Sequence, residues 1–112
     1  MTFLRSCLAI LACASTSAAI ACDYPPLVAV PDGEAATIDE MVAAQQTIRT
    51  YMEAMDAYLN CVNSELQAAG DDAPEEFKAI MVSRHNAAVE EMEMVAASFN
   101  VEIAAFRDVN PN

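Results

Sequence analysis

Cysteine, methionine and histidine are the residues of this chain best suited to redox or metal chemistry, and their spacing limits what they can do. Of the four cysteines, Cys7 and Cys13 fall in an N-terminal stretch with the layout of a secretory signal. Arg5 supplies the positive charge, Cys7 to Ala14 the apolar run, and Ala19-Ile20-Ala21 a small-x-small cleavage site. The run is short and broken by Ser and Thr, so residues 1–21 read as a signal peptide rather than a membrane span. Residues 22–112 then carry Cys22 and Cys61. In a periplasmic or secreted chain two such cysteines pair. A cysteine at the first mature position is also where bacterial lipoproteins are acylated. Ala19-Ile20-Ala21 lacks the Leu usual three residues before that cysteine, so a lipid anchor at Cys22 is the lesser alternative.

The remaining candidates argue against catalysis. No CxxC or CxxCH is present, which removes support for disulfide exchange and covalent haem. Thioether clusters outside the cytosol can hold Cu(I). Yet Met41, Met52, Met55, Met81 and Met92 all lie on apolar helical seams, where methionine is ordinary core filler, and only Met94 falls off them. His85 is the single histidine, flanked by Arg84 and Asn86, and reads as a seam-edge residue rather than a ligand. Glu90, Glu91 and Glu93 read as a solvated acidic face, as do Glu53 and Asp56. There is neither an Asp-rich loop nor an inward Glu-x-x-His. Ser64, Ser83 and Ser98 lie within helical segments without an oriented His–Asp partner. Gly33 and Gly70 are the only glycines, so no phosphate-cradling loop exists. No catalytic residue, metal site or cofactor is expected, and the chain reads as a non-enzyme.

Charge narrows the partners. Residues 22–112 hold four basic residues (Arg49, Lys78, Arg84, Arg107) against 17 acidic ones, a net charge of −13. Nucleic acid and anionic membrane surfaces are disfavoured, because phosphate contacts need a basic face. A basic protein partner remains compatible.

The elements that position these residues are few. Residues 22–36 hold Pro25, Pro26 and Pro31 and predict an extended polyproline-like path ending in the Pro31-Asp32-Gly33 turn. Thr37-Ile38-Asp39-Glu40 matches a capping box. From there the row Ile38, Met41, Gln45, Ile48, Met52, Met55, Leu59, Val62, Leu66 keeps a 3-4 heptad spacing, and Gly70 ends it. This predicts helix 1 over about 37–69. Asp72-Ala73-Pro74-Glu75 predicts an acid-capped start for helix 2, over about 73–108. Its seam is Phe77, Met81, Ala88, Met92, Val95, Phe99, Ile103 and Phe106. The short link predicts an antiparallel two-helix hairpin occupying 37–109, an all-α fold.

Length arithmetic links the segments. Cys61 lies ~36 Å along the helix from Thr37, and Cys22 to Asp32 covers ~31 Å as polyproline II. A Cys22–Cys61 disulfide therefore places the proline segment antiparallel along helix 1. Tyr51 and Tyr58, seven residues apart on one edge of the seam, form the surface on which Pro25 and Pro26 are expected to pack. The arrangement resembles the polyproline-on-α-helix hairpin of pancreatic-polypeptide-like peptides, in local architecture only.

The chain also resembles a group of small exported proteobacterial proteins of uncharacterised function. The resemblance is carried by the Cys after the signal, Val30-Pro31-Asp32-Gly33, Tyr58-Leu59-Asn60-Cys61, and Asn86-Ala87-Ala88-Val89-Glu90 followed by Phe99-Asn100. It implies no activity. The expectation is an exported structural or protein-interaction module, acting as a homodimer or with a protein partner through its helix seams. Two alternatives are a metal-responsive stress protein, using Met, His85 and acidic residues, and an acidic inhibitor or immunity-type protein.

Overall fold

The computed structural model describes residues 22–112, so the signal segment expected over 1–21 lies outside the described residues. The fold is an antiparallel hairpin of two long helices, α1 (Ile38–Ala69) and α2 (Glu75–Val109). No strand occurs among the described residues. The expected all-α hairpin is the observed one.

Helix α1 starts where its capping box places it. The Thr37 hydroxyl accepts from the Glu40 backbone N–H at 3.2 Å, and the Glu40 carboxylate accepts from the Thr37 N–H at 2.7 Å. Two backbone donors without helical partners are thereby satisfied. The helix stops at Gly70, whose φ of +76° a side chain would resist.

Helix α2 begins differently from the sequence reading. Asp72 makes no cap, and Pro74 holds the N-cap position without a side-chain hydrogen bond. Proline's fixed φ sets the chain direction there, and Glu75 and Glu76 place negative charge on the first turn in place of a cap. The link is fastened instead by Lys78, whose ammonium donates to the Asp71 carbonyl at 2.8 Å and pairs with Glu75 at 3.2 Å.

The core is rotated from the expected seam. Met41, Ile48, Met55 and Val62 are buried, but Ile38 is 60% exposed and Gln45 is exposed, while Met52, Leu59 and Leu66 are half-buried. Tyr51 and Tyr58, expected at the seam edge, are buried instead. The cause is the N-terminal segment, which packs on that side as a third layer through Cys22, Val28, Val30 and Ala36. On α2 the buried positions are Met81, Ala88, Val95 and Phe99. Met55 and Met81 are among the most completely enclosed side chains, so those thioethers fill the interior.

Candidate functional site: the tethered N-terminal segment

Residues 22–36 run without helix or strand from Cys61 to the turn before α1. Cys22 and Cys61 are disulfide-bonded, with their Cα atoms 5.7 Å apart. At the other end, Gly33 sits against α2. Its backbone N–H donates to the Glu102 carboxylate at 2.7 Å. A side chain on Gly33 would overlap the backbone of Glu102 and Phe106. Eleven residue steps thus span about 20 positions of α1, ~30 Å at 1.5 Å per residue, which only an extended path can cover.

Local chemistry holds the segment straight and then turns it. Pro25, Pro26 and Pro31 remove backbone donors that would otherwise need partners. Asp32 then closes the turn. Its carboxylate accepts from the Glu34 N–H at 3.0 Å, and its carbonyl accepts from Ala35 and Ala36. Beneath the prolines α1 presents small side chains. Pro25 and Pro26 lie over Ala54, Ala57 and Tyr58 on one side, and share a shallow groove with Ala43, Thr47, Thr50 and Tyr51 on the other.

The polar centre of the site is Glu91 of α2. One carboxylate oxygen accepts from the Tyr51 hydroxyl of α1 at 2.9 Å, and the other accepts from the Tyr24 hydroxyl of the N-terminal segment. Tyr24 also meets Tyr58 edge to face, with ring centroids 4.8 Å apart. One carboxylate therefore ties all three layers together. Burial, then the bond to Glu91 and its negative charge, push the Tyr24 hydroxyl up to about 12 and raise Tyr51 further. Both phenols stay protonated and donating at neutral pH.

Sequence reasoning found Cys22, Cys61, Tyr51, Tyr58, Pro25 and Pro26, and the structure gathers all six along one side of α1. It missed Tyr24, Glu91, Glu102 and the packing role of Gly33. A signal for Glu91 existed: it stands three residues after Ala88 and four before Val95, on the margin of the α2 core. Nothing comparable marked Tyr24, whose register depends on the disulfide.

Chemically the arrangement is a clamp. Among the described residues, one cluster of potential metal ligands occurs: the Cys22 and Cys61 sulfurs with the Glu65 carboxylate. Its two thiols are spent in the disulfide. Met41, Met55 and Met81 are buried in the core, and Met52 and Met92 are half-buried against it. No helix among the described residues is long and apolar enough to cross a membrane. Comparison with known protein families, curated proteins and solved structures found no match to this chain.

Proposed function

We propose that this chain is an exported, non-enzymatic interaction module, and that its first partner is a second copy of itself. The observation that carries the reading is one-sided coverage of the hairpin. The clamped N-terminal segment closes one side, through Cys22, Tyr24, Val28 and Val30. The opposite side keeps an apolar seam in contact with solvent. Ile38 and Val42 are exposed, and Met52, Leu59, Phe77, Met92 and Ile103 are only half-covered. At one end this seam opens into a groove lined by Ile38, Val42, Phe99, Ile103 and Phe106.

Electrostatics favour a second copy at this seam despite the overall charge. Arg49 stands one heptad after Val42. Lys78 and His85 stand two and one heptads before Met92, and Arg107 lines the groove. Three of the four cations of residues 22–112 thus flank the open side. Asp56 stands one heptad after Arg49 and Glu75 pairs with Lys78, so the seam carries both signs of charge rather than acid alone. Two hairpins joined there form a four-helix bundle that buries the surplus apolar surface.

The disulfide supports an oxidising compartment, where such a bond persists. Intact-mass spectrometry of the exported protein tests that part. A chain beginning at Cys22, two hydrogens lighter than its reduced form, agrees with the reading; a lipid-sized increment on Cys22 contradicts it. Sedimentation equilibrium tests the dimer. The wild type is expected to dimerise and Leu59→Glu to be monomeric with unchanged helix content. A wild type monomeric at high concentration removes the dimer.

A further inference from the structure

A second exposed row runs along the solvent-facing surface of α2, one position before the buried Met81, Ala88 and Val95. Ile80, Ala87, Met94 and Val101 recur every seven residues, and all are exposed, Met94 at 60% and Val101 at 64%. Ala97 and Ala104 fill the intervening positions of its C-terminal half, so Met94, Ala97, Val101 and Ala104 keep the 3-4 spacing of a coiled-coil seam, while Ser83 and Glu90 stand at the same positions of its N-terminal half. The hairpin does not use it: the buried positions of α2 are Met81, Ala88, Val95 and Phe99. Nor does the N-terminal segment, which reaches α2 at Glu91 and Glu102.

The spacing selects the shape of an occupant. A seam of period 3.5 is matched by another α-helix, whose side chains enter the holes between successive rows. Charge selects its sign. Glu76, Glu90 and Glu93 lie on or beside the row against one cation, Arg84, and Glu90 is at its midpoint. A second copy of α2, packed in either direction about a twofold axis, would set Glu90 against Glu90. That like-charge contact adds to a net charge of −13 over residues 22–112 of each protomer. A helix bearing Lys or Arg at those positions relieves both.

We infer that the outer face of α2 is a docking surface for a basic amphipathic helix of another protein, seated on Ile80, Ala87, Met94 and Val101 with its cations against Glu90 and Glu93. This surface is separate from the seam assigned to the second copy, and the inference stands whether or not the chain dimerises.

The test uses the disulfide-bonded protein and a synthetic helix with a leucine seam flanked by lysine and arginine. A peptide of the same composition in scrambled order is the control. Backbone amide shifts on adding the ordered peptide are expected to map to 76–104 and to leave α1 unmoved. Met94→Ser with Val101→Ser is expected to weaken binding about tenfold, and Glu90→Gln about two- to fivefold. All three residues are exposed, so helix content should not change, and circular dichroism checks this. Equal affinity for the scrambled peptide, or shifts spread over every acidic surface, would reduce the effect to bulk charge and overturn the inference. Self-association of the free protein that Met94→Ser abolishes and Leu59→Glu leaves intact would assign the face to a second copy, and equally overturn it.

Discussion

At the scale of single residues, the structure depends on contacts in which one atom more or one charge less decides the outcome. Gly33 lies so close to α2 that even a methyl group has no room, and the obstacle is helix backbone, which cannot swing aside. Gly33→Ala is therefore expected to cost at least about 2 kcal/mol, as overpacking does, read as a lower urea midpoint. Glu91 is the second such residue, because its two oxygens serve two tyrosines from different elements. Glu91→Gln leaves at most one good acceptor and removes the charge, at a cost of about 1 kcal/mol. Burial of the Tyr24 hydroxyl, and then its bond to this carboxylate, sets a pH dependence. Tyr24 is raised from 10.0 to about 12 in the folded state, so the folded chain holds that proton more tightly than the unfolded one. Its stabilisation is complete below pH 10 and is lost as pH rises towards about 12. Urea midpoints across that window should fall for the wild type and fall less steeply for Tyr24→Phe. Parallel curves would mean the hydroxyl bond contributes nothing.

At the scale of elements, the N-terminal segment is held at its two ends as well as by its apolar contacts with the core. The disulfide joins residues 39 apart, and on the chain-entropy model a loop of that size contributes about 4 kcal/mol. Cys22→Ser is expected to release residues 22–32 to protease while the hairpin keeps its helix content. Limited proteolysis with circular dichroism separates the two, and simultaneous loss of both would show that the segment is part of the folding core. These elements were legible in the sequence to different degrees. The helices were, since capping box, heptad row and Gly70 all act locally. The tether was legible in part: chain length and helical rise match a Cys22–Cys61 bridge, while acylation of Cys22 stayed open as an alternative. The rotation of the α1 core onto Tyr51 and Tyr58 was less so. A heptad row records where a helix is apolar, whereas burial depends on which of its edges a third element covers. The start of α2 was misread at Asp72 because proline imposes its own geometry on the turn it occupies. Glu91 and Glu102 looked like ordinary surface acids, since their partners lie 40 to 69 positions away in the sequence.

At the scale of the whole molecule, the charge of −13 over residues 22–112 should act on the two proposed surfaces with opposite sign. Two copies meeting at the open seam bring like charges together, so their association is driven by apolar burial and opposed by long-range repulsion. Added salt weakens the repulsion and leaves the burial, as the screening length falls from about 30 Å at 0.01 M to about 8 Å at 0.15 M. The dimer should therefore tighten as salt rises through that range. A basic helix on the outer face of α2 is attracted by the same charge, so its complex should weaken over the same range. One protein followed by sedimentation equilibrium alone, and by titration with the basic helix, then gives two salt slopes of opposite sign. Slopes of the same sign would mean that a single surface serves both associations. A dimer that loosened with salt would place its contacts among ion pairs rather than on Met52, Leu59 and Ile103. The opposition also carries a consequence for partner choice. On this proposal low ionic strength should favour a monomer that captures basic helices and physiological salt a dimer with an outer acidic row on each protomer, so that ionic strength alone shifts the balance between the two kinds of contact.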